Sequence, residues 1–127
     1  MGKWIAERPF DCTDVKGKRF RAVARIGTPT TVPRDGNLAA YGSCPVMLQP
    51  LFAERAARGL DQFQALCLAI DLVRSALKTF VAQGGRVFFT GTDTPIKLDD
   101  PSFLPHLDLE RLRGRKKRSV RGKTAKR

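Results

Sequence analysis

The chain has 127 residues, the length of a single domain with one modest core. Its 42% apolar and 28% charged residues are those of a globular protein, and no run approaches the ~18 consecutive apolar residues of a membrane span. The net charge of +12 is unevenly placed: every acid lies at or before Glu110, and residues 111–127 hold ten bases and no acid. The body, residues 1–110, is therefore close to neutral, and the basicity belongs to the tail.

The N-terminus, Met1-Gly2-Lys3-Trp4-Ile5-Ala6-Glu7-Arg8, has no apolar run and reads as no secretory leader. Residues 5–12 and 18–26 alternate as two half-buried strands, the second with Phe20, Ala22, Ala24 and Ile26 on one face. Asp14-Val15-Lys16-Gly17 between them suits a three-residue hairpin loop, with Gly17 supplying positive φ. Charge sets the register. Pairing Asp14 with Lys18 places Cys12 opposite Phe20 and Phe10 opposite Ala22 on the inner face, and Asp11 beside Arg21 and Glu7 beside Arg25 outside. Arg8 is the misfit, falling on the inner face opposite Ala24, and Pro9 points to a sheet edge.

Residues 27–37, rich in Thr, Pro and Gly, read as a loop. Residues 38–48 form a weaker strand, interrupted by Gly42 and Pro45, with Leu38, Ala40, Cys44, Val46 and Leu48 inward. Residues 51–58 fit a strand or a helical turn equally.

The clearest element is a helix over 61–83. Asp61 caps it, Gln64 completes a capping-box pattern, Leu60 is placed to staple onto the first turn, and Gly84-Gly85 ends it. Phe63, Leu66, Cys67, Ile70, Val73, Leu77, Phe80 and Val81 recur at helical spacing and predict the buried stripe. A last strand covers 86–90, a loop 91–105, and a helical turn 107–112. The expected fold is α+β: a small antiparallel sheet of about four strands packed by one long helix, followed by a disordered basic C-terminal tail over 111–127.

The run Gly59-Leu60-Asp61-Gln62-Phe63-Gln64-Ala65-Leu66-Cys67-Leu68-Ala69 resembles the helix start of a family of small uncharacterised bacterial domains, written Gly-x-Asp-x-x-Gln-Ala-Leu-x-Leu-Ala. Ile5-Ala6-Glu7-Arg8 and Ile26-Gly27-Thr28-Pro29 resemble two further motifs of that family, in the same order. The resemblance covers residues 4–90 and implies an α+β fold and no activity. The tail lies outside it.

Few residues carry chemistry. Cys12, Cys44 and Cys67 are odd in number and not at Cys-x-x-Cys spacing, so neither a disulfide framework nor a metal site is expected. All three read as core packing, and free thiols fit a cytoplasmic location. His106, the single histidine, has no partner at ligand spacing. Neither phosphate-loop nor dinucleotide fingerprint occurs, and no cofactor is expected. Arg19, Arg21 and Arg25 could form a phosphate-contacting row, although Asp11 and Glu7 are placed to neutralise two of them. The remaining signal is Arg113, Arg115, Lys116, Lys117, Arg118, Arg121, Lys123, Lys126 and Arg127, a block that binds polyanions by counterion release. The expectation is a non-enzymatic binding or accessory domain with weak nucleic-acid affinity through this tail. The alternative is a protein-interaction module, a partner or inhibitor, whose tail only solubilises. A membrane surface is not expected, because no apolar anchor accompanies the charge.

Overall fold

The computed structural model of the protein describes residues 3–36, 38–99 and Phe103. These form six strands and one helix: β1 (Trp4–Thr13), β2 (Arg19–Gly27), β3 (Thr30–Val32), β4 (Tyr41–Gln49), β5 (Phe52–Gly59), α1 (Gln62–Ala82) and β6 (Arg86–Phe88). The expected tail, the turn at 107–112 and His106 lie outside the described residues.

The first hairpin forms in the register that the charges imply. Phe10 faces Ala22, Asp11 faces Arg21 and Cys12 faces Phe20. Gly17 closes the turn at φ +84°, and the Asp14 carboxylate accepts the amides of Lys16 and Lys18 at 2.9 Å each. That Asx-type anchoring holds the turn without tertiary help.

The sheet is larger than the four strands expected. All pairings are antiparallel. β4 pairs with β2 over Val46–Gln49 and with β3 over Tyr41–Ser43, and it pairs with β5 across both stretches. A strand has only two edges, so β2 and β3 lie end to end along one edge of β4 and β5 occupies the other. The spatial order is β5, β4, then β2 with β3, then β1, then β6. Residues 51–58, left open by the sequence, belong mostly to edge strand β5, whose Glu54, Arg55 and Arg58 are exposed. Such charges blunt an edge against pairing with other chains. β1 is paired on both sides only at Asp11–Thr13, which leaves Pro9 where no second ladder bond is needed.

One face of the sheet carries the core. Phe10, Cys12, Ala22, Cys44, Val46, Leu48, Ala57 and Val87 are buried against α1. Burying each large side chain contributes roughly 1.5–3 kcal/mol. Leu38 and Ala40, expected inward on this face, are exposed, because β4 begins only at Tyr41.

The helix has its expected length and buries Val73 and Leu77 of the expected stripe, but its first turns are rotated about the axis. Its buried residues are Ala65, Ala69, Val73 and Leu77, while Phe63 and Cys67 are exposed, Val81 largely so, and Ile70 is half-buried. The cause lies in the sheet beneath. Gly42 and Gly59 face each other across β4 and β5. A Cβ on Gly42 would sit 2.0 Å from the Asp61 carbonyl oxygen, and one on Gly59 would sit 2.7 Å from the Ala65 nitrogen. The first turn of α1 therefore rests backbone to backbone on this glycine pair, and only alanine fits between. Large apolar residues at the same spacing are turned to the flank. The expected staple by Leu60 is absent for the same reason: Leu60 is 82% exposed and Phe63 76%.

The caps follow the sequence more closely. Asp61 Oδ1 accepts the Gln64 amide at 2.8 Å. Gln64 Oε1 reaches one residue past the cap, to the Leu60 amide at 2.6 Å. At the other end Gly84, at φ +104°, donates to the Val81 carbonyl, and Gly85 donates to that of Phe80. This is the double bonding of a Schellman ending.

Candidate functional site

The arginine row on β2 is engaged. Arg25 Nε lies 2.9 Å from Glu7, Arg21 Nε lies 3.5 Å from Asp11, and Arg19 lies 2.9 Å from Asp93. Arg19 also covers the Phe88 ring, 5.2 Å from its centroid. The alternation that suggested a phosphate ladder thus ties β2 to β1 and to the loop after β6.

Asp11 is the centre of that tie. Its carboxylate accepts the Gly91 amide at 2.8 Å and faces Arg21 and Arg19. The backbone hydrogen bond, followed by the arginine charges, holds its carboxyl below the ordinary range. A carboxyl depressed on folding stabilises the native state above its ordinary pKa of about 3.9, and that support is lost as pH falls through the lower folded value. Asp11→Asn should therefore flatten the fall of melting temperature below about pH 4, measured by thermal melts across an acid series. An unchanged acid slope in the variant would remove Asp11 from this role. Asp99, held low by Lys78 and Arg74, carries part of the slope that remains.

The cysteines divide. Cys12 and Cys44 are buried, whereas Cys67, expected in the core, is exposed. Burial, with the Asp11 charge, pushes the Cys12 thiol up to about 11, and burial raises Cys44. A thiol reagent should label Cys67 alone in the native protein and all three after unfolding. Native labelling of Cys12 at a similar rate would contradict the placement.

Arg8, the misfit of the first hairpin, is placed by a residue far along the chain. Its guanidinium donates to the Phe103 carbonyl and lies 5.1 Å from the Phe103 ring centroid and 5.6 Å from that of Phe10. Phe103 is fully buried against the core. Arg8 thus works as a latch over an apolar cleft between β1 and α1.

A second cleft, of about 340 Å³, opens at the end of the sheet beside the start of α1. The Arg34 guanidinium lies 4.6 Å from the Tyr41 ring centroid and that of Arg58 lies 5.3 Å away. Three elements converge here. Tyr41 pairs with Val32 of β3, Arg58 pairs with Ser43 from β5, and Gln62 Nε2 donates to Thr31 Oγ1 at 2.9 Å. No acid lines the cleft, and among the described residues no carboxylate is within ion-pair distance of either arginine. Sequence reading passed over this group because its members stand far apart, in segments read as a loop, a weak strand and an ambiguous stretch.

Asp61 and Gln64 serve as the helix cap. The described residues hold no cluster of three His, Cys, Asp or Glu able to bind a metal ion, and no helix long and apolar enough to cross a membrane. The nine basic tail residues, from Arg113 to Arg127, lie outside the described residues. No known protein family, curated protein or solved structure matches the chain.

Proposed function

We propose that this chain is a non-enzymatic binding or accessory domain whose basic segment, residues 111–127, gives weak, sequence-independent affinity for nucleic acid. The observation that carries the reading is the partition of charge, with ten bases and no acid after Glu110 against a nearly neutral body. Clustered Lys and Arg displace counterions from a polyanion whatever its base sequence. The paired state of Arg19, Arg21 and Arg25 supports the same division of labour, since the body's most regular basic row is already neutralised. A cytoplasmic location, expected from the free thiols, belongs to the same proposal. So does the kinship suggested by the motif at residues 59–69, which adds no activity.

A second reading, a protein-interaction module, is favoured by one observation. Leu60, just before the cap, and Phe63 and Cys67, four residues apart on α1, stand exposed. Truncation after Leu112 separates the two. Loss of binding to DNA and RNA with unchanged thermal melting supports the tail. Retained binding would move the nucleic-acid site to the body, and no binding by the full chain favours the alternative.

A further inference from the structure

We propose that the cleft between Arg34, Tyr41 and Arg58 is a phosphate-binding site on the body of the domain, independent of the basic tail. Two guanidiniums over one half-buried ring form an uncompensated double charge. A cation stacked on an aromatic face keeps N–H donors directed away from the ring. Guanidinium groups match the oxygens of a phosphate in paired hydrogen bonds, and a doubly charged phosphate balances both arginines.

The surroundings suit the same ligand. The cleft is lined by Gly59, Leu60 and Gln64 at the entry to α1, and its two charged side chains are both cationic. The nearby Asp61 carboxylate is occupied by the Gln64 amide and is not part of the lining. About 340 Å³ exceeds what a phosphate alone fills, so part of the group that bears it is accommodated as well. The test below compares two bearers of that phosphate, a nucleotide and a nucleic-acid strand. The shared chemistry is the phosphate, and the site differs from the tail in being built on the paired strands β4 and β5, the loop before β4 and a helix start.

The test is NMR titration of the full chain at constant ionic strength, reading backbone amides residue by residue. The probes are inorganic phosphate, a nucleoside 5′-monophosphate, the unphosphorylated nucleoside and a short oligonucleotide. Saturable shifts at Tyr41, Arg58, Gly59 and Gln64 with phosphate, and none with the nucleoside, are expected. Tighter binding of the monophosphate than of the oligonucleotide would assign a nucleotide end, and the reverse a strand backbone. Arg58→Gln and Arg34→Gln, both exposed positions, should each weaken these shifts about tenfold or more while leaving the melting temperature unchanged. Shifts confined to residues 111–127, absent shifts, or saturation unaltered in both variants would overturn the proposal. The phosphate and monophosphate outcomes are read at the cleft residues and do not depend on whether the tail binds nucleic acid.

Discussion

Replacing Gly42 with alanine should cost about 3 kcal/mol or more and lower the melting temperature by on the order of 10–20 °C. The added Cβ would lie 2.0 Å from the carbonyl oxygen of Asp61, 2.2 Å from its carbon and 2.7 Å from the Gln62 nitrogen. These are backbone atoms, so no rotamer change relieves the overlap. The start of α1 would have to lift from β4, exposing Ala65 and Ala69, which are now fully buried. Overpacking alone costs ~1–3 kcal/mol, and loss of the helix contact adds to it. A domain whose whole stability is roughly 5–15 kcal/mol has little reserve for that change. Gly17→Ala is the control. Gly17 has φ +84°, unlike Gly42, and a Cβ there meets nothing within 4 Å. Its cost is the left-handed conformation alone, about 1–2 kcal/mol. Thermal melts of both variants measure the difference. A Gly42→Ala protein that melts within a few degrees of the parent would show that the helix does not rest on this glycine.

That glycine pair also explains what the sequence could convey and what it could not. The first hairpin was legible because charge and hydrophobicity alternate together, so one register satisfies both faces. Arg8 was not, since its partner Phe103 stands far away along the chain and no local pattern records it. Helix length was legible from the Asp61 cap and the Gly84-Gly85 ending. The rotation of its first turns was not: a stripe through Phe63, Cys67 and Ile70 and one through Ala65 and Ala69 share the same period, and both continue to Val73 and Leu77. What selects the alanine stripe is the close approach to Gly42 and Gly59, which depends on the pairing of β4 with β5.

The residues that weakened the reading of β4 have the same kind of origin. Gly42 admits the helix, and Pro45 packs on Gly27, whose Cβ would fall 2.6 Å from the Pro45 ring. β3 is three residues of Thr-Thr-Val flanked closely by Pro29 and Pro33, too short for any periodic signal. In β5, Ala, Glu and Arg are good helix formers placed in a strand, because pairing with β4 overrides local propensity. The Arg34–Tyr41–Arg58 cleft joins the loop before β4 to β4 and β5, so it was hidden while the pairing of those strands was. The charge partition needed no fold to be seen, since it is a matter of counting along the chain.

The functional claim rests on that partition, and its expected effect is large. If the tail neutralises Z phosphates, log K should fall against log salt with slope ~−0.9Z on duplex DNA, and Z of roughly 4–8 follows from engaging part of the ten charges. Between about 50 and 200 mM salt, affinity should then drop by roughly 10²- to 10⁴-fold. Little sequence preference is expected, because base readout needs an ordered element seated in a groove, and the tail sequence supplies charge without an apolar framework. The decisive measurement is a salt titration of the full chain and of the chain truncated after Leu112, on labelled duplex and single strand. The account predicts binding at micromolar or weaker affinity with this steep slope in the full chain, largely lost on truncation, with the same melting temperature for both. Equal binding by the two chains, or none by either at low salt, would contradict it.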